Sequence, residues 1–219
     1  MRRYAAISPD RLPDELTEAL VAVDRPGGAL RVALDGPRAA GPEELADALT
    51  EPLRTRGRPA IHVWAQTFWR DASLRLEHGR HDVESYRDWL DAAALRREVL
   101  VPLGPGGSGE YVPSLRDPAT NRATRAPRST APDGSVLVVS GELLLGRGLP
   151  FDVTIHLAVG VAARARRTAP EWAWTLPAFE AYDRAVDPVE TADIVVRLDD
   201  PRHPAISGSV TNDGRASRR

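Results

Sequence analysis

The chain has no cysteine and no lysine. The first absence excludes a disulfide framework, a thiolate zinc site, an iron–sulfur cluster and a cysteine nucleophile. The second is more restrictive. All 29 basic residues are arginine, so no Schiff-base lysine, lysine general base or phosphate-binding loop lysine can be placed anywhere. Charge of either sign is not in excess: 31 acids against 29 bases give −2. That excludes a generally basic nucleic-acid binder and an acidic solvating tail. No run approaches the ~18 apolar residues of a membrane span, and Met1 to Pro9 lacks the apolar core of a signal peptide. The expectation is a cytoplasmic protein with no nucleic-acid or membrane partner. Lysine-free, Arg-, Ala- and Pro-rich usage suggests a GC-rich bacterial genome.

What is present reads as alternating helices and strands. Leu12, Leu16, Ala19, Leu20 and Val23 form a helical stripe. Asp24 to Gly28 breaks the chain, and Leu30 to Leu34 reads as a strand. From Glu43 a helical pattern runs through Leu45, Ala48, Leu49 and Leu53, and Pro52 is expected to kink it or end it early. Ala60 to Trp64 is a second strand, Val83 to Val101 a helix, and Pro102 to Pro132 an excursion or short hairpin. Ser135 to Val139 is an apolar run suited to a strand buried on both faces. Phe151 to Leu157, Val161 to Arg167, Pro177 to Val186 and Ala192 to Leu198 continue as strand, helix, helix and strand. Such alternation predicts a parallel sheet covered on both faces. Ligands then sit at the carboxyl ends of the strands, which directs attention to Asp35–Glu43, Ala65–Trp69 and Ser140–Leu143. Residues 207–219 are expected to be a disordered tail.

Between the first strand and the helix that follows it, Gly36-Pro37-Arg38-Ala39-Ala40-Gly41-Pro42-Glu43 carries the two glycines of G-x-x-x-x-G-K-[ST] in the context that pattern requires. Pro42 replaces the lysine and Glu43 the magnesium-binding hydroxyl. Proline has no N–H but is a good first helical residue. Glu43 and Glu44 place carboxylates at the positive end of the helix dipole, so this helix end is expected to supply its own anions. An ordinary strand–turn–helix connection is the alternative reading of the loop taken alone.

Further segments carry a resemblance: Val32-Ala33-Leu34-Asp35-Gly36, Phe68 to Glu77, Trp89-Leu90-Asp91, Pro113 to Arg125, Gly141 to Leu145, and Asp199 to Pro204. Together they resemble the uridine kinase branch of the P-loop nucleoside kinases, and more closely a group of actinobacterial proteins labelled uridine kinase-like. The resemblance spans Leu12 to Ile206. It implies a three-layer α/β/α P-loop kinase-like fold over residues 1–206 with a central parallel sheet and a lid near 164–176. It implies a phosphate site at Gly36, Arg38, Ala39, Ala40 and Gly41, with Arg164, Arg166 and Arg167 in the lid. It implies nucleoside contacts at Gln66, Trp69, Asp117, Arg122 and Arg125. Four catalytic features of the family are missing: the loop lysine, the magnesium hydroxyl, the base carboxylate (Gln66-Thr67 stand in its place) and the strand-end acid (Ser140 stands there). No catalytic or metal-binding residue is therefore assigned, and ATP and magnesium are implied only as far as the altered loop holds them. The expected function is a nucleoside- or nucleotide-binding protein with weak or absent phosphotransfer. The alternatives are an active uridine/cytidine kinase using arginine for the missing lysine, and a partner-binding protein without a small ligand.

Other candidates read as structural. His78 and His81 with Glu77, Asp82 and Glu84 fit a solvated polar loop. Ser140-Gly141 lacks the first glycine of a nucleophile elbow, and sequence assigns Ser140 no His or Asp partner. Gly104 to Gly109 reads as a connector. The five tryptophans read mostly as core or lid anchors, with Trp69 placed near a base-binding pocket.

Overall fold

A computed structural model describes residues 2–210. Strands β1 (Ala5–Ala6), β2 (Leu30–Asp35), β3 (Ala60–Trp64), β6 (Val136–Gly141), β7 (Val153–Ala158), β8 (Ile194–Arg197) and β9 (Ala205–Gly208) form one sheet in the order β1-β9-β8-β7-β2-β6-β3. The five central strands from β8 to β3 are parallel, and β9 runs antiparallel to β8 and β1. A separate two-stranded ribbon, β4 (Glu110–Tyr111) with β5 (Ser129–Thr130), is the hairpin of the Pro102–Pro132 excursion. The helices are α1 (Leu12–Val21), α2 (Pro42–Thr55), α3 (Ala72–Arg75), α4 (Ala92–Leu95), α5 (Val161–Arg167), α6 (Leu176–Val186) and α7 (Pro188–Thr191). No helix among the described residues is long and apolar enough to cross a membrane.

Strand alternation sorts the core into two faces. Leu30, Val32 and Leu34 of β2 and Val136 and Val138 of β6 pack with Leu16 and Leu20 of α1 and Leu49 and Leu53 of α2. The intervening residues face the other way. Leu137 and Val139 meet Leu95, Val99 and Leu100, while Ala33 and Val195 meet Phe179 and Tyr182 of α6. The result is helix layers on both sides of a mostly parallel sheet, as the alternation of elements predicts.

Three local readings are corrected. Helix α2 continues through Pro52 to Thr55. The carbonyl deprived of a partner is that of Ala48, which is exposed and open to water, so the usual penalty for an interior proline is reduced. The single helix expected over 83–101 is divided. Ser85–Trp89 is a 3-10 helix, Leu90 is extended, Asp91 caps α4 by accepting from the Ala94 N–H at 2.8 Å, and Arg96–Leu100 is a π-turn. Leu90 breaks the helix because it bridges to Trp69: the Arg70 N–H donates to the Trp89 carbonyl at 2.8 Å and the Asp91 N–H to the Phe68 carbonyl at 3.0 Å. Finally, Ser207 and Gly208, expected in the tail, belong to β9. Val210 packs against the core, and residues 211–219 lie outside the described residues.

Candidate functional site

The carboxyl ends of β2, β6 and β7 converge on the loop after β2. Gly36 leaves the strand so close to Leu157 that a Cβ there would stand 2.8 Å from the Leu157 Cβ. Arg38–Ala40 form one 3-10 turn, and Gly41 enters α2 at φ 68°, ψ 50°, the left-handed region glycine tolerates. The anion that meets this loop comes from β6, not from α2. Glu142, just past the end of β6, accepts from the Arg38 N–H at 3.0 Å, from Arg38 Nε at 3.0 Å and from the Tyr86 hydroxyl at 2.7 Å. Glu43 and Glu44 stand in the first turn of α2, as expected, but the Arg38 N–H and guanidinium pair with Glu142. The Glu44 carboxylate lies beside Gly41, and Glu43 is a crowded acid whose pKa is raised by burial and then by Glu44. Burial alone would lower the Arg38 pKa, but Glu142 and then Tyr86 reverse that and raise it.

Arg38 continues into an aromatic cavity of about 1040 Å³. Its guanidinium lies 3.8 Å from the centroid of Trp172, within cation–π range. All five tryptophans, Trp64, Trp69, Trp89, Trp172 and Trp174, line this one cavity. The break at Leu90 aligns Trp89 edge-on to Trp69 at 5.3 Å, and the 3-10 helix Pro170–Thr175 brings Trp172 and Trp174 over from the segment after α5. The tryptophan spacings reveal none of this, because three separate loops contribute.

A second cavity of about 430 Å³ lies on the other side of the loop, against Gly36, His156 and Arg164. At its floor Asp35, fully buried, accepts from the Leu144 N–H at 2.8 Å and the Tyr182 hydroxyl at 3.0 Å, and meets His156 Nδ1 at 2.7 Å. The turn between these groups is strained: Leu143 has φ 56°, a conformation disfavoured for a side chain of that kind. It is pinned by Glu142 on one side and on the other by Leu144, and by Leu145, whose N–H donates to Tyr182.

No family model and no curated protein matches the chain. Solved structures do. A possible uridine kinase from Bacillus stearothermophilus superposes with a TM-score of 0.68 at 19% identity, covering 84% of this chain and 96% of that one. A Silicibacter sp. TM1040 protein described as a fructose transport system kinase gives 0.61 at 23% identity over 82% and 91%. The YGR205w protein gives 0.56 at 8% identity over 94% and 100%. This chain has the P-loop kinase fold. At these identities the likeness is one of fold.

Within that fold the residues expected at the phosphate site divide. Arg38 lines the aromatic cavity, whereas Gly36 and Arg164 line the second one. Ala39 and Ala40 are half-buried in the 3-10 turn and Gly41 caps α2. Arg164 is turned inward to Asp183 at 2.9 Å, Arg167 donates to the Leu198 carbonyl at 2.7 Å, and Arg166 is exposed. Of the nucleoside-contact residues, Trp69 and Asp117 line the aromatic cavity. Asp117 accepts from the N–H groups of Ala119 and Thr120 at 2.8 and 2.9 Å, and that of Thr120 leads in holding its carboxyl below the usual range. Gln66 is buried beside Trp69 and Glu142. Arg122 and Arg125 are exposed and line neither cavity. His81 packs on Trp174 at 5.4 Å.

Ser140 does have the partners that sequence could not assign. Its Oγ lies 2.7 Å from His62 Nε2, and His62 Nδ1 lies 2.8 Å from Asp47 Oδ1. The order is that of a nucleophilic triad, but Ser140 is wholly buried and lines neither cavity. The chain of contacts ties β6 and β3 to α2.

Tyr86 and Tyr182 give a pH prediction. Both pKa values are raised, in each case chiefly by burial and then by a carboxylate: Glu142 for Tyr86, Asp35 for Tyr182. A phenol held protonated in the fold contributes stability that is complete below about pH 10, where the unfolded phenol titrates, and is lost as pH rises beyond it. Between pH 9 and 11 the unfolding free energy from urea titration should fall, by up to about 1.4 kcal/mol per pH unit for each tyrosine once the unfolded phenol has titrated. Tyr86→Phe should show a shallower fall than the parent, and equal slopes in the two proteins would contradict this.

Proposed function

We propose that the chain is a uridine kinase-like protein that keeps a nucleoside- or nucleotide-binding cleft and has weak or absent ATP-dependent phosphotransfer. One observation carries the reading: the Glu142 carboxylate occupies the N–H and the guanidinium of Arg38 in the loop that would hold phosphates, while the aromatic cavity beside it stays open. A P-loop works by offering unpaired N–H groups and a cation to the nucleotide. Here a triphosphate would have to displace an internal carboxylate. The magnesium ligands are altered as well. Glu43 puts a carboxylate, itself a magnesium ligand type, in the hydroxyl's place, but Ser140 Oγ, in the acid's place, is engaged with His62. Phosphoryl transfer depends on positioning and electrostatics, so these substitutions bear on its core.

The test is turnover with radiolabelled ATP, magnesium and uridine or cytidine. The expected rate is at least a thousandfold below the ~1–100 s⁻¹ usual for kinases. A rate within that range would overturn the reading and establish an arginine-based kinase. Binding of uridine or its phosphates, followed by calorimetry, tests the cleft separately from the chemistry.

A further inference from the structure

The aromatic cavity contains a cation without a counter-charge. Arg75 is buried, 8% exposed. Its Nε donates to the Arg70 carbonyl at 2.9 Å and its Nη2 lies 3.4 Å from Asn121 Oδ1. Its guanidinium is flanked by Trp69 at 5.0 Å and Trp89 at 4.7 Å. Among the described residues it has no ion-pair partner. Asp71, the acid that acts on it, is paired with Arg116 at 3.0 Å instead. Its pKa is lowered, first by burial, the response of a cation short of an anion.

Two further donors in the same wall lack partners among the described residues: Trp89 Nε1 and Arg38 Nη2, both buried. Buried donors are nearly always satisfied, and a persistent exception points to something the site still lacks. The acids of the cavity do not fill the gap. Asp117 is occupied by backbone N–H groups, and Glu171 is exposed. Four arginines, at 38, 75, 80 and 116, face those two acids around five indoles.

We infer that the ligand of this cavity is a flat aromatic molecule carrying an oxyanion, its ring held among the tryptophans and its anion received by Arg75, Trp89 Nε1 and Arg38. The inference rests on the cleft reading above and narrows it: a neutral nucleoside would leave the buried guanidinium uncompensated. A nucleoside phosphate and an aromatic carboxylate share this chemistry.

The five tryptophans make the protein its own reporter. Indole emission is titrated with uridine, uridine 5′-monophosphate, nicotinate and inorganic phosphate, on the wild type and on Arg75→Gln and Arg75→Lys. The monophosphate or nicotinate should bind at least tenfold more tightly than uridine, and which of the two leads identifies the anion. Arg75→Gln should erase that advantage, bringing the anions down to the affinity of uridine on the same variant, and Arg75→Lys should retain part of it. The ligand ranking on the wild type stands even where Arg75→Gln fails to fold. Uridine binding as tightly as both anions would overturn the inference and leave the cleft reading standing. Inorganic phosphate binding as tightly as the monophosphate would overturn the aromatic half. Silence toward all four at 10 mM would overturn the cleft reading itself.

Discussion

Replacing Glu142 with Gln should lower the melting temperature by about 10 °C. The side chain is 7% exposed and receives three hydrogen bonds, two from Arg38 and one from Tyr86. An amide offers one acceptor where the carboxylate offers two, and it leaves the Arg38 cation and a buried phenol uncompensated. Breaking one side of a buried pair costs about 3–5 kcal/mol; the Arg38 side chain is 34% exposed, so the lower end applies, and in a chain of this size each kcal/mol is worth about 2–4 °C. The pair is not required for folding as such. Arg38→Met with Glu142→Met removes both charges and should recover most of the loss, because an apolar pair of similar volume is often neutral or stabilising. Circular dichroism melts of the parent, both single variants and the double variant measure the coupling directly. A shift under 2 °C for Glu142→Gln would mean that the carboxylate does not close the loop in solution, and the proposed function would lose its main support. Glu142→Gln is also the variant in which a triphosphate should regain access, so a melt with ATP and magnesium that shifts only in the variant would show the loop released.

The strands were legible because their side-chain period is local: Leu30 to Leu34 and Val136 to Val139 announce themselves within five residues, and the layers follow from alternation. Around the candidate site, the turn after β2 was legible, because Gly36, Arg38 and Gly41 lie within one short segment. Everything that couples loops was hidden. Asp35 and His156 are 121 positions apart, His62 and Ser140 are 78 apart, and Arg38 and Glu142 are 104 apart; strand register brings the first two pairs together, and the segments that follow β2 and β6 bring the third. One signal was available. The acid expected at the end of β6 is absent at Ser140 but present two residues later as Glu142, where it points back at the loop. The division of the 83–101 helix was invisible for a different reason. Its pattern is helical, but the Leu90 backbone pairs with Trp69, and a tertiary contact overrides local propensity. That same override assembles the tryptophan cavity, so the misread helix and the unforeseen site have one cause.

Asp35→Ala should be the most damaging single substitution at the cavity floor, with a melting temperature reduced by about 10–15 °C or no cooperative transition. The Leu144 N–H and the Tyr182 hydroxyl donate to this carboxylate, and His156 Nδ1 meets it at 2.7 Å. Its side chain has no contact with water. Each buried donor left unpaired costs about 1–3 kcal/mol, so the loss exceeds that of Tyr182→Phe, which removes one bond to the same carboxylate, unpairs the Leu145 N–H and should cost about 2 kcal/mol. Asp35→Asn keeps the volume but turns an amide N–H₂ toward a donor, so it should fall between the two. The effect extends beyond the floor. The Leu144 N–H is one of the pins holding the strained turn at Leu143, and the opposite pin is Glu142 on Arg38. Releasing either end lets the turn relax and weakens the other contact. Asp35→Asn combined with Glu142→Gln should therefore lose less stability than the two single losses added together, by about 0.5 kcal/mol or more. Strict additivity in that cycle would mean that the phosphate-loop contact and the buried Asp35 network are independent, and that the turn between them transmits nothing.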